Sequence, residues 1–290
     1  MDWFLLSLAS AVLTAASAIT EKRTLLKMHA MEFSAALSVA ILSLSLPILP
    51  FVSWETILSA PVAIIYLATL LASVSFLLIA KGVRHMDVSE SSPIMVIGPL
   101  FAAMFAFIFL GEKLTPLHFA GIAVLILGAY LLELKSHSGL LEPLKAFGKS
   151  RYVHYILLAL LLYGITSAID RLVLGYFGMP PLEYLLIAHF FLAVNFTAMM
   201  IIFHDGLPGI GRALKGSFWW IMLVAALSVG YRLAQVYAVA EAPVALVSAI
   251  KRTSALFAVI IGGEMFHEQN LLRKSLACAI MIIGAAMIIL

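Results

Sequence analysis

The sequence predicts an all-α integral membrane protein in which ten transmembrane helices form two inverted repeats of five. Three observations lead there: a very apolar composition, ten long apolar stretches, and short motifs that recur at a nearly constant offset. Hydrophobic residues make up 63% of the 290 residues, charged residues make up 11%, and the mean hydropathy is +1.10. A soluble domain usually has about 45–50% apolar and about 25% charged residues. The chain therefore has little soluble mass.

The apolar stretches set the number of predicted helices. A helix needs about 20 apolar residues to cross a bilayer. The stretches lack the alternation of a membrane barrel, so only helices can span here. There are ten of them, at about residues 3–20, 31–50, 61–80, 88–110, 116–134, 153–173, 182–203, 217–238, 242–263 and 271–290.

Two short motifs occur once in each half of the chain. "SAIT" at 17–20 ends segment 1, and "SAID" at 167–170 lies at the same place in segment 6. "FLGEK" at 109–113 ends segment 4, and "IGGEM" at 261–265 ends segment 9. The offsets are 150 and 152 residues. Matching order and offset indicate a duplication.

The duplication predicts two domains, residues 1–140 and residues 150–290, with five helices each. Because five is odd, the second half must enter the membrane in the opposite orientation. Such inverted repeats are common in secondary transporters, whose substrate site lies near the midplane between the halves.

This arrangement resembles a known family over the whole chain. Two five-helix units, each with Gly-Glu at the end of its fourth helix ("LGEKLTP" at 110–116 and "GGEMFHE" at 262–268), are similar to the drug/metabolite transporter superfamily, EamA type. The resemblance implies a multi-pass protein that moves a small molecule across the bilayer.

The basic residues divide unevenly between the two sides of the predicted bundle. The side that holds connections 4–5 and 6–7 has two, Lys113 and Arg171, and three more lie within segments, Arg232, Lys251 and Arg252. Connections 1–2, 3–4, 5–6, 7–8 and 9–10, on the opposite side, hold thirteen: Lys22, Arg23, Lys27, Lys81, Arg84, Lys135, Lys145, Lys149, Arg151, Arg212, Lys215, Arg273 and Lys274. The positive-inside rule places these thirteen in the cytoplasm, so both termini lie outside. The family more often keeps both termini in the cytoplasm, so resemblance and charge count disagree. We adopt the orientation given by the charge count. We expect a multi-pass protein of the cell membrane, of the prokaryotic inner-membrane type.

Two adjacent cations lie near the middle of segment 9, in "VALVSAIKRTSALFAVIIGG" at 244–263. A charge at the bilayer centre costs about 2.5–3.5 kcal/mol on insertion scales, and such residues usually face a cavity. Snorkelling would need a position near a helix end. An ion pair would need a buried acid, and the deepest, Asp170, is followed directly by Arg171. We interpret Lys251 and Arg252 as cavity residues, with structural pairing as the alternative.

Segment 8 adds a polar stripe to the same region. Ser228, Arg232 and Gln235 stand at i, i+4 and i+7, on one face of a helix, and Tyr231 is one turn from Gln235. Ser248 lies one turn before the Lys-Arg pair. Helix–helix hydrogen bonding is the alternative role for these groups, most of all for Ser248. Three cations without a clear buried acid favour an anion, and an Arg fork with a Lys point charge suits phosphate or carboxylate.

The Lys-Arg pair carries a second resemblance. "IKRTSALF" at 250–257 is similar to the ninth helix of the triose-phosphate and nucleotide-sugar transporters. That resemblance implies that Lys251 and Arg252 hold a substrate phosphate. The resemblance implies a phosphate contact for Tyr231 as well when small gaps are allowed in aligning the eighth helix.

Three further residues are candidates for gating or coupling: Pro99, Asp170 and His189. The motif offset equates Pro99-Leu100 with Lys251-Arg252, and Gly98-Pro99 should kink or break helix 4 because proline lacks the N–H. A simple packing kink is the alternative. His189 could carry a proton or be a hydrogen-bonded structural histidine.

Two other polar motifs receive structural interpretations. "EKR" at 21–23 is interpreted as an interfacial anchor. Glu264 and His267 have the i, i+3 spacing of a metal pair, but the motif occurs once, at a helix end, so no metal is predicted.

The leading functional hypothesis is a secondary transporter of a small organic anion, with phosphorylated anions included, that works by alternating access at a positively charged midplane site. The alternative is a flippase for a phosphate-linked sugar lipid. An intramembrane enzyme is disfavoured, because the four aspartates form no membrane pair and no HExxH motif occurs. We expect no cofactor and no nucleic-acid partner. The expected partners are an anionic small molecule and the lipid bilayer, for a monomer or homodimer.

The charge count generates a topological prediction. An N-terminal tag should react with an impermeant label in intact cells, because the thirteen basic residues hold the opposite side in the cytoplasm. A tag that reacts only after permeabilisation would reverse the orientation.

Overall fold

The computed structural model describes residues 3–25, 28–85, 94–133, 151–257 and 271–289. Within these ranges the secondary structure is helical, without strands. Six stretches are long and apolar enough to cross a membrane: Trp3–Glu21, Ala30–Phe51, Val62–Ile79, Arg151–Tyr176, Pro181–Phe203 and Leu207–Glu241. Three shorter apolar helices accompany them, Gly98–Leu110, Pro116–Leu131 and Leu276–Ile288.

We number the α-helices in chain order. They are α1 (Trp3–Leu25), α2 (Ala30–Ser45), α3 (Trp54–Ser59), α4 (Val62–His85), α5 (Gly98–Leu110), α6 (Pro116–Glu133), α7 (Arg151–Arg171), α8 (Pro181–Phe203), α9 (Leu207–Glu241), α10 (Val244–Lys251) and α11 (Leu271–Ile289). The all-helical membrane class is therefore as predicted. The predicted ninth segment runs beyond residue 257, the last described residue there, so the full set of ten spans stays a prediction.

Several helix boundaries differ from the predicted ones for local reasons. α2 gives way to a 3-10 helix, Leu46–Phe51, that contains two prolines and therefore two residues without a donor N–H. The short helix α3, which the sequence did not predict, begins where the Ser53 side chain accepts a hydrogen bond from the Thr56 N–H. α9 starts ten residues before the predicted segment and bends at Ser217, whose φ of −147° is not helical.

The helices that correspond to segments 4 and 9 are both interrupted. A turn at residues 96–97 precedes α5, so the predicted break near Gly98-Pro99 is present. A second turn, at residues 252–253, follows α10. In both turns the amides bond to carbonyls three residues back, as Leu100 does to Ile97 and Arg252 does to Ala249. These tighter turns interrupt the α-helical hydrogen bonding near the cations of segment 9.

The main helix contacts join one half of the chain to the other. α1 packs on α9 and α10, α2 on α8 and α9, and α4 on α7 and α8. α5 packs on α7 and α10, and α6 packs on α11. Exchanging each helix of the first half with its counterpart in the second (α1 with α7, α2 with α8, α4 with α9, α5 with α10, α6 with α11) reproduces this set of contacts.

The outer surface of the bundle carries many large apolar side chains. Phe107, Ile108 and Phe109 are more than half exposed on α5, and Ile202 and Trp219 are more exposed still. A soluble monomer rarely exposes so much contiguous apolar surface. Lipid is the medium that would cover it.

Glycines bring α6 and α11 into close contact. A Cβ at Gly284 would lie 2.5 Å from the Leu125 nitrogen and 2.8 Å from the Gly121 oxygen. A Cβ at Gly128 would lie 2.9 Å from the Ala277 oxygen. Small residues that let two backbones approach are a common basis of helix association in membranes.

This contact generates a stability prediction. Gly284→Ala should destabilise the protein by about 1–3 kcal/mol, because the added carbon meets backbone atoms that cannot move aside locally. The matched control is Gly211→Ala on α9, where an added Cβ meets nothing within 4 Å. That variant should be neutral or more stable by up to about 1 kcal/mol. Thermal melting in detergent measures both, and equal melting temperatures would contradict the close contact.

Candidate functional site

A cavity of about 470 Å³ lies between the two halves of the chain. Its walls come from α1, α2, α4, α5, α7, α8, α9 and α10, and from Ser254 beyond the second turn. The structure brings all nine residues selected from the sequence to this cavity: Pro99, Asp170, His189, Tyr231, Arg232, Gln235, Ser248, Lys251 and Arg252.

Asp170 and Arg232 form an ion pair across the cavity wall. The Arg232 Nη2 lies 2.9 Å from the Asp170 Oδ2, and the Asp170 side chain is 5% exposed. The Tyr184 hydroxyl donates a second hydrogen bond to the other carboxylate oxygen of Asp170. The expectation that no clear buried acid serves the cations is therefore wrong for Arg232. The sequence also gave no reason to select Tyr184.

Arg171, which directly follows Asp170 in the sequence, forms its ion pair with Glu112. Its Nε lies 2.7 Å from the Glu112 Oε1, and its Nη1 donates to the Val239 and Ala240 carbonyl oxygens at 2.7 and 3.0 Å. The Glu112 side chain is 7% exposed. The first Gly-Glu motif thus ends α5 with Gly111 at a φ of 64° and ties that end to α7 and α9.

Lys251 contacts two residues of the predicted stripe on α9. Its Nζ donates to the Gln235 Oε1 at 2.6 Å and lies 4.6 Å from the centre of the Tyr231 ring. A cation over an aromatic face is stabilised electrostatically, and more so away from water. Both partners are neutral, so within the described part of the chain no carboxylate lies in contact with the Lys251 charge.

Arg252 lies in the turn after α10 and reaches toward α5. Its Nη2 is 2.6 Å from the point where a Cβ would stand at Gly98. Glycine at this position therefore leaves the space that the guanidinium occupies. Pro99, the next residue, lines the same wall, so the two interrupted helices meet at the cavity.

His189 and Glu21 also line the cavity. The Ser45 hydroxyl and the His189 Nδ1 are 2.7 Å apart, which fits the structural alternative for this histidine. Glu21, interpreted from the sequence as part of an interfacial anchor, also lines the cavity. α1 continues to Leu25, so Glu21 lies one turn inside the helix. The Glu264–His267 pair lies outside the described residues.

Comparison with known proteins agrees with this architecture. Residues 1–134 match the model of the EamA-like transporter family. This match supports the resemblance to the drug/metabolite transporter superfamily, EamA type, over residues 1–134, and the EamA-like family is one of membrane transporters of small molecules.

Two further comparisons give the fold and no more. No curated protein matches this chain. A solved structure titled "Crystal structure of protein" aligns with 99% of this chain and 96% of its own, at a TM-score of 0.77 and 13% sequence identity. At that identity the likeness concerns the fold alone.

The buried ion pair generates a prediction. Asp170→Asn should destabilise the protein by about 3–5 kcal/mol, because Arg232 would keep a buried charge without its carboxylate. Arg232→Gln should also destabilise it, and the double variant should recover much of the loss, since contacting residues are not additive. Unfolding in detergent measures the cycle.

The control is Asp205→Asn, which removes the carboxylate of a more than half exposed pair with Arg212 and should change stability little. Additive single losses at Asp170 and Arg232 would show that the two side chains do not act as a pair.

Proposed function

We propose that this protein is a secondary transporter of a small organic anion, of which phosphorylated metabolites are the preferred class. The contacts of Lys251 carry the proposal: its ammonium lines the cavity and is held by an amide and an aromatic ring instead of a carboxylate. A positive charge held in this way attracts an anion that enters the cavity. Arg252 lines the same wall and can add a bidentate fork.

The charge balance of the cavity supports the same substrate class. Among the described residues, three cations line it, Arg232, Lys251 and Arg252, against two acids, Asp170 and Glu21. Arg232 already pairs with Asp170, so an incoming phosphate or carboxylate would interact mainly with Lys251, whose contacts are an amide and an aromatic ring. The cavity volume of about 470 Å³ suits a small molecule.

The two halves, residues 1–140 and 150–290, are proposed to be inverted repeats. The exchange of helix contacts between the halves supports this, as do the paired turns at residues 96–97 and 252–253, which are 156 positions apart. Gly128 and Gly284 have the same separation. At this separation of 156 residues, Met95 and Val96 are the counterparts of Lys251 and Arg252. The 152-residue offset of the Gly-Glu motifs had instead equated Lys251 and Arg252 with Pro99 and Leu100.

The cavity extends toward one side of the bundle. It includes Glu21 near the end of α1 and Ser34 near the start of α2, on the side that holds most basic residues. The buried pair of Arg171 and Glu112 ties the helices at the opposite end. On the predicted topology this arrangement is open to the cytoplasm, and alternating access would require the Arg171–Glu112 tie to break.

Charge variants at the Lys-Arg pair test the substrate class. Lys251→Gln and Arg252→Gln should weaken anion affinity roughly ten- to a hundred-fold, the effect of one charged hydrogen bond. Arg252→Lys should also weaken it, because a lysine lacks the bidentate fork. Lys251→Gln should keep or raise the melting temperature without ligand, since no contacting carboxylate among the described residues would be stranded.

The measurement is thermal shift and equilibrium binding in detergent with inorganic phosphate, short phosphate esters and carboxylates. Lys215→Gln, an exposed position on α9 away from the cavity, is the control. A lower melting temperature with unchanged anion affinity would make the pair a scaffold element. Binding only of long-chain lipid phosphates would favour the flippase alternative.

A further inference from the structure

Glu21 is the acid of the cavity that the proposed anion site leaves without a role. Its carboxylate lines the cavity from α1. Among the residues whose side chains the structure describes, it has no hydrogen-bond or ion-pair partner. A carboxylate that is shielded by helices and lacks a partner is costly to keep charged. Such a group is a natural place to hold a proton.

The other titratable groups that line the cavity are already engaged. Asp170 accepts hydrogen bonds from Arg232 and Tyr184, and His189 is bonded to Ser45. Lys251 donates to Gln235. Among the described lining residues, the remaining titratable or charged groups are Arg252 and two tyrosines, Tyr163 and Tyr231. Tyrosines and arginines do not ordinarily titrate between pH 5 and 8.

Within the proposed repeat, Glu21 also differs in charge from its counterpart in the second half. At the 150-residue offset of the "SAIT" and "SAID" motifs, the counterpart of Glu21 is Arg171. Arg171 is neutralised by Glu112 at the closed end of the bundle. At the end toward which the cavity extends, the equivalent position carries an acid, Glu21. The two ends therefore differ in charge where the scaffold is otherwise similar.

We infer that Glu21 binds a proton together with the substrate anion, so that transport couples an anion to H⁺. The inference rests on the proposed function. An anion near the Lys-Arg pair brings a second negative charge into the cavity, and like charges in a poorly solvated space favour the protonated carboxyl. By linkage, a proton on Glu21 favours the anion by the same factor. The loaded cavity then carries the carboxyl in its neutral form when the bundle changes state.

The test measures how anion affinity depends on pH. Sulfate is the main probe, because it keeps its charge between pH 5 and 8.5, and a sulfonate of similar size is the second. In purified full-length protein, affinity should rise as pH falls, by up to about tenfold per pH unit if one proton is taken up. Glu21→Gln should flatten this dependence and hold affinity near its low-pH value, because the amide imitates the protonated carboxyl.

Two control variants locate the effect. Glu55→Gln, at an exposed position on α3, should leave the pH dependence intact. His189→Gln should also leave it intact, since that ring is already bonded to Ser45. Proton uptake on sulfate addition, followed with a pH indicator in weak buffer, should be present in the parent protein and absent in Glu21→Gln.

Each outcome decides between the two proposals. A parent protein that binds neither probe at any pH overturns both the proposed function and the inference. Anion binding that depends on Lys251 and Arg252 but keeps its pH slope in Glu21→Gln overturns the inference alone and directs attention to Lys251 as the titrating group. A requirement for Na⁺ at constant pH, lost in Glu21→Gln, would replace the proton by a metal cation and also overturn it.

Discussion

The carboxylate of Asp170 is the constraint on which the cavity depends. It lies between Tyr184 on α8 and Arg232 on α9, and it compensates a guanidinium that would otherwise be costly among membrane helices. With Arg232 compensated, Lys251 carries a positive charge in the cavity that contacts an amide and an aromatic ring. The same carboxylate joins three helices of the second half of the chain, so the position of α9, and with it the partners of Lys251, follows from that interaction.

The sequence was informative where the signal was local. Apolar length predicted the helices, and a charge or proline inside an apolar stretch predicted the cavity residues, because each signal can be seen in one segment. The partnership of Asp170 with Arg232 could not be predicted in this way, since it depends on how α7 packs beside α9. Arg171 obscured it further. Successive helical residues point about 100° apart, and that difference sends Arg171 to Glu112 while Asp170 faces the cavity.

Helix ends explain what the sequence analysis missed. Glu21 was interpreted only as part of an interfacial anchor; α1 continues for another turn beyond it, and its side chain also lines the cavity. α9 likewise begins at Leu207, ten residues before the predicted segment, and bends at Ser217. In both cases a helix continues through polar or glycine-containing sequence. Tertiary packing decides such boundaries more strongly than the local composition does.

On the proposed two-fold relation, the halves agree where they pack and differ where they are charged. Gly128 and Gly284 keep the same close contact between α6 and α11. Lys251 and Arg252, by contrast, correspond to the apolar Met95 and Val96, and Arg171 corresponds to Glu21. A symmetric duplication would place a second pair of cations across the axis from the first, and their repulsion and desolvation would both have to be offset. Cations in only one of the two halves avoid that cost.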